Sequence, residues 1–105
     1  MQVTILGAGS SAGTPVIGCQ CATCTSDNPR NKRTRCSSII TLDSGENILI
    51  DTGPDLRLQV LREGITNVDA VLYTHTHADH LHGIDDLRGF CQVNRKQIPL
   101  YTYKE

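Results

Sequence analysis

No stretch of this 105-residue sequence approaches the roughly 20 consecutive apolar residues that a bilayer-spanning helix needs, so no membrane association is expected. The start, Met1-Gln2-Val3-Thr4-Ile5-Leu6, has no basic residue and leads into no long apolar core, so no secretory signal is expected and the expected location is cytoplasmic. Charge of one sign is missing as well: ten Lys and Arg against eleven Asp and Glu give a net charge of −1, which excludes a global attraction to nucleic acid or to an anionic membrane. There is no internal repeat, linker or low-complexity segment, and the length allows one domain over residues 1–105. A chain this short buries only roughly two-thirds of its unfolded surface, so its core is thin.

Histidine is absent from the first 74 positions and from everything after His82, and all four histidines fall within eight positions. The stretch is His75-Thr76-His77-Ala78-Asp79-His80, directly after Val68-Asp69-Ala70-Val71-Leu72-Tyr73, an apolar run that reads as a buried strand. Side chains two apart on an extended chain point the same way, so His75 and His77 can grip one metal ion together. Asp79 and His80 follow where the chain leaves the strand and can face a second ion from the adjacent turn. Imidazole with carboxylate suits zinc and its neighbours, and a two-metal hydrolytic centre is the expected chemistry. The competing reading, a solvated polar loop, does not explain why the histidines are so confined.

Five cysteines is a high and odd count for a chain without an export signal, a setting in which clustered thiols are more often metal ligands than disulfides. Cys19, Cys21 and Cys24 can hold three corners of a zinc tetrahedron, with the fourth ligand from elsewhere and Cys36 the nearby candidate. A redox pair is the rival reading, but no helix start follows the trio to lower a thiol pKa; a disulfide or free thiols also stay open.

Around these clusters the chain reads as alternating elements. A strand over residues 3–6 enters a glycine-rich turn whose spacing misses the dinucleotide fingerprint and which has no phosphate-loop lysine, so a tight backbone turn is expected. The segment from Asn28 to Arg35 carries four cations and reads as a solvated loop or as an anion-binding rim. Strands over 38–42 and 47–50 flank the hairpin chemistry Asp43-Ser44-Gly45-Glu46. Asp51, at the second strand's end, is placed either to hydrogen-bond a ligand histidine or to cap the next helix. That helix is expected over 55–63, with Pro54 near its first position, Gly64 past its end, and Leu56, Val60 and Leu61 on its apolar face. After Gly83, Ile84, Leu87 and Cys91 have helical spacing, with Asp85 and Asp86 at the positive end. Residues 98–102 read as an edge strand because of Pro99.

The order of these motifs resembles the metallo-β-lactamase superfamily, in the branch of the phosphoribosyl cyclic phosphodiesterases and the pyrroloquinoline quinone biosynthesis proteins. The residues that carry it are Gly18-Cys19-Gln20-Cys21-Ala22-Thr23-Cys24, Arg33-Thr34-Arg35, Asp51-Thr52-Gly53, and His75 to His80 with Gly83-Ile84-Asp85-Asp86-Leu87-Arg88. The resemblance implies an α/β fold, the N-terminal half of an αββα sandwich with a mixed sheet and flanking helices. It assigns His75 and His77 to a first divalent ion, Asp79 and His80 to a second (zinc or manganese), and Cys19, Cys21 and Cys24 to a separate structural zinc. It implies a hydrolase for a small phosphodiester, cyclic ones included, with a hydroxide held between the two ions and Asp79 as ligand, orienting group and proton carrier.

Family members are more than twice as long, and their second half supplies the remaining ligands; no histidine follows His82 here. Each metal site is therefore expected to be incomplete, one sheet face is expected to lie open, and this short chain is expected to be inactive alone. An N-terminal fragment is the favoured account. A homodimer, association with the missing C-terminal half, and a non-catalytic metal-binding interaction protein or cofactor-biosynthesis accessory stay open.

Overall fold

The hairpin chemistry at residues 43–46 does what its residues dictate: Gly45 takes a positive φ of 96°, and Leu42 N–H bonds Glu46 O at 2.9 Å. In the computed structural model, which describes residues 1–103, that turn joins β2 (Ser37–Thr41) to β3 (Asn47–Ile50). β1 (Gln2–Gly7) lies antiparallel on the other side of β2. Beyond β3, β4 (Ala70–Leu72) and β5 (Leu100–Tyr101) add in parallel, giving one mixed five-stranded sheet in sequence order. Parallel neighbours require crossovers. α1 (Leu56–Arg62) makes the first; α2 (Ala78–Leu81), a 3-10 turn at Ile84–Asp86 and α3 (Leu87–Asn94) make the second. Among the described residues no helix is long and apolar enough to cross a membrane.

Strand alternation splits the sheet into two unlike faces. Ile39, Leu49 and Val71 are register partners on one face, and with Leu6 they pack under Leu56, Val60, Leu87 and Phe90 of α1 and α3. The opposite face is also apolar. Its rows pair Val3 with Ile40 and Ile48, and Ile50 with Leu72 and Tyr101. Nothing among the described residues covers it, and Val3, Ile5 and Tyr101 stay 55%, 59% and 55% exposed. The radius of gyration, 14.7 Å, exceeds the value of about 13 Å typical of a self-contained domain of this length.

Several elements differ in detail from the sequence expectation. α1 is one residue shorter at each end than expected, with Asp55 as its N-cap and Pro54 outside it. Its buried residues are Leu56, Gln59 and Val60, and Leu61 is exposed. The Gln59 amide explains the shift, because it bonds Thr34 Oγ1 and Arg35 O and so belongs on the inner side. β4 holds only three residues of the expected six, although Asp69 N–H and Tyr73 N–H still bond Asn47 O and Tyr101 O. After Gly83 the chain makes a 3-10 turn before α3, which turns Phe90 inward and leaves Ile84 38% exposed. β5 is an edge strand as expected, shortened to two residues.

One ion pair ties the cysteine-side loops to the helix. Arg35 Nε and NH2 bond Asp55 Oδ2 and Oδ1, each at 3.0 Å, and Arg35 N–H adds a third bond to Oδ2 at 2.9 Å. These bonds to Arg35 hold the Asp55 carboxyl below its ordinary value, against the opposing effect of burial.

Leu49→Ala is expected to lower unfolding free energy by about 2–5 kcal/mol, and Ile5→Thr by less than about 0.5 kcal/mol, in urea titrations; equal costs would contradict the two-faced sheet. Because the folded Asp55 carboxyl titrates below its unfolded value of about 3.9, its contribution is complete above that pH and is lost as pH falls through the folded value. Asp55→Asn should therefore cost about 2 kcal/mol at neutral pH and flatten the acid limb of the stability profile, as read by thermal melts from pH 7 to 3.

Candidate metal centre

The C-terminal ends of the parallel strands β3 and β4 lie side by side, and in sheets of this kind such ends are where ligand sites form. β3 leads into Asp51, whose φ of 63° turns the chain into the left-handed region, and Asp51 N–H bonds Leu72 O at 2.9 Å. β4 leads into Tyr73, Thr74 and the histidine motif. Thr52 stitches the two exits together: its N–H bonds His80 O at 2.8 Å and its hydroxyl meets Tyr73 OH at 2.8 Å and Leu81 O at 3.2 Å. Gly83 N–H bonds Thr52 O, and a Cβ on Gly83 would stand 1.9 Å from Gly53 O, so only glycine lets these segments meet.

Asp51 is 3% exposed and fully engaged. Oδ1 accepts Thr74 N–H at 2.8 Å, and Oδ2 accepts the Thr74 hydroxyl at 2.7 Å and meets His80 Nδ1 at 2.7 Å. Of the two roles open to Asp51 in the sequence, the structure shows the histidine bond; the cap of α1 is Asp55. His80 Nε2 lies 3.1 Å from Asp79 Oδ2, and His75 Nδ1 lies 2.9 Å from Thr74 Oγ1. The ring of His75 stands 4.6 Å from that of His77, edge-on, and 4.1 Å from that of His80. His75, His77, Asp79 and His80 are thus brought together, with His77 as N-cap of α2 and Asp79 and His80 within it.

Among the described residues, the set of three donor atoms that converges within 4.8 Å is Cys19, Cys21 and Cys24. Cys36, the sequence candidate for a fourth ligand, is exposed and stands outside that set. Tetrahedral zinc with Zn–S bonds near 2.3 Å separates its sulfurs by about 3.8 Å, so the trio fits such an ion. Backbone donors already point at the sulfurs: Cys24 N–H at Cys21 Sγ and Val16 N–H at Cys24 Sγ, both 3.4 Å. The Cys21 thiol is pulled down to about 7, first by the Cys24 N–H and then by the Cys19 and Cys24 thiols. The Cys24 thiol moves up: Val16 N–H draws it down, but the Cys19 bond, desolvation and Cys21 outweigh that pull. A lowered thiol is the more readily deprotonated one, and the thiolate is the form that binds a metal.

The glycine turn after β1 is a packing device. A Cβ on Gly9 would lie 2.5 Å from Thr34 O, and Gly9 N–H bonds that oxygen at 2.7 Å, so the turn is pressed against the chain entering β2. Arg35 sits close enough to the motif for the Asp79 charge to raise its guanidinium further, after Asp55. The residues sequence reasoning missed are Thr74, Thr52 and Tyr73. Only Thr74 left a trace, a hydroxyl next to the first histidine of the motif.

The sequence profile of the Beta-lactamase superfamily domain matches residues 46–105. An octanoyltransferase of Porphyromonas gingivalis is 50% identical over 91 residues, which are 87% of this chain and 18% of that protein. Coenzyme PQQ synthesis protein B of Methylobacterium radiotolerans is 35% identical over 101 residues, 84% of this chain and 34% of that protein. The crystal structure of a new diphosphatase from the PhnP family superposes with a TM-score of 0.87 at 48% identity, over 94% of this chain and 40% of the other. The chain therefore spans well under half the length of each of these relatives. With the mixed sheet, the motif at its strand ends and these matches together, the chain belongs to the metallo-β-lactamase superfamily and is similar within it to the PhnP-family diphosphatase and the PQQ synthesis proteins.

Proposed function

We propose that this chain is the ligand-bearing first part of a metal-dependent hydrolase of small phosphoesters. The observation that carries the reading is the convergence of the His75, His77 and His80 rings beside Asp79, at the ends of β3 and β4, with His80 held from behind by Asp51. The donor set fits divalent zinc or manganese, with His75 and His77 for one ion and Asp79 and His80 for a second. Such ions, when bound, supply Lewis acidity at a phosphoryl oxygen and make water acidic near neutral pH. The chain's own part is to aim imidazole and carboxylate, and to let Asp79 orient the attacking water and return a proton to the leaving oxygen. The 48% identity to a diphosphatase of the PhnP family supports the phosphoester class, and the cysteine trio is read as a structural zinc site. Octanoyl transfer is not carried over, because more than four-fifths of the protein with that name lies outside the match.

The remaining ligands and the cover for the open sheet face come, on this reading, from the second half of a longer protein. A non-catalytic metal-binding role is the alternative. It is favoured by the fact that the cysteine trio converges more closely than the histidine set.

Element analysis by mass spectrometry should find zinc that is lost from the Cys21→Ser variant, whereas a chain without zinc would remove the cysteine site. Hydrolysis of bis-p-nitrophenyl phosphate, measured with added zinc or manganese on the chain joined to its second half, should fall at least about 100-fold in His77→Ala. Absence of turnover in the parent with either metal would favour the binding role, and unchanged turnover in His77→Ala would remove His77 from the reaction. The 105-residue chain alone should sediment above its monomer mass, and Ile5→Asp should shift it toward monomer.

A further inference from the structure

We propose that Thr74 is a positioning residue whose hydroxyl carries the hold of Asp51 on to His75, so that one buried carboxylate fixes the tautomer of two histidines. An ionised carboxylate can only accept, and a hydroxyl has a single proton to give. Asp51 Oδ2 stands 2.7 Å from Thr74 Oγ1, so the hydroxyl proton goes to the carboxylate. At its other contact, 2.9 Å from His75 Nδ1, the same oxygen must therefore accept, and His75 must carry its proton on Nδ1. His80 Nδ1, 2.7 Å from Asp51 Oδ2, must likewise be protonated. His75 is then left with an unprotonated Nε2, the nitrogen free to bind an ion, while His80 Nε2 faces Asp79 Oδ2 at 3.1 Å, the other donor proposed for the second ion.

Thr74 suits this task because it is anchored twice on one carboxylate, by its N–H to Oδ1 and its hydroxyl to Oδ2. Its branched Cβ further limits χ1. Asp51 itself reaches only the His80 ring directly, and among the described residues the Thr74 hydroxyl is the hydrogen-bond partner of His75 Nδ1. The consequence for metal binding rests on the proposed role of His75 and His80 as ligands; the tautomers themselves do not.

The test is long-range proton–nitrogen correlation NMR of the histidine rings in the metal-free 105-residue chain at alkaline pH, where neutral imidazoles report their tautomer. In the parent chain His75 and His80 should both appear protonated at Nδ1. Thr74→Val should move His75 to the Nε2-protonated form and leave His80 unchanged, and Thr74→Ser should restore the parent pattern. Nε2-protonated His75 in the parent, or no change in Thr74→Val, would overturn the proposal. Cobalt binding followed by absorption gives a second readout: Thr74→Val should weaken it about 10–100-fold, with recovery in Thr74→Ser. Equal cobalt affinity in all three chains would count against the relay. A parent that shows the stated tautomers but binds no cobalt at the histidines would refute the ligand reading while upholding the relay.

Discussion

The carboxylate of Asp51 is the fixed point to which the rest of the centre is referred. It is almost wholly buried on a backbone turned into the left-handed region, and it accepts from one backbone N–H and one hydroxyl while bonding one imidazole. A buried charge is tolerable only when such partners replace its hydration. The backbone supplies the rest of the arrangement. Asp51 N–H closes on Leu72 and Thr52 N–H on His80, so both strand exits and α2 are locked around the same group.

Much of the fold was legible because it follows from local rules. Apolar runs on either side of the turn at Gly45, and the run before His75, mark β2, β3 and β4 before any tertiary contact is known. The bounds of α1 were legible to within a residue, but not its inner face, and α2 was read as a turn. A glutamine reads as a surface residue, yet Gln59 is 1% exposed because the chain entering β2 offers Thr34 and Arg35 for its amide to bond. Leu61 was displaced to the surface by the same geometry. The proposed donors stand out in the sequence by histidine clustering and cysteine spacing. What holds them was not, since Thr74, Thr52 and Tyr73 act through partners more than twenty residues away or through a ring whose orientation no spacing reveals.

The sheet's two faces show why a fold can be readable while its boundaries are not. Strand alternation normally places polar residues opposite the core. Here Val3, Ile40, Ile48, Ile50 and Leu72 make the second face apolar too, which is the pattern of a middle layer with structure on both sides. The relatives, of which this chain matches well under half, are long enough to supply that second layer.

The contacts that organise the histidines close over short distances along the chain: Asp51 reaches Thr74 across 23 residues and His80 across 29. Loop-closure entropy grows only with the logarithm of length, so the two closures differ by about 0.2 kcal/mol and can form as one event. Both lie within the β3-α1-β4 unit and the helix after it, with the Ser37 hydroxyl of β2 adding a bond to Asp51 O at 3.4 Å. On a ribosome this segment can set its histidines in place while later residues are still being added. Any layer that arrives afterwards then meets a centre whose first half is already aimed.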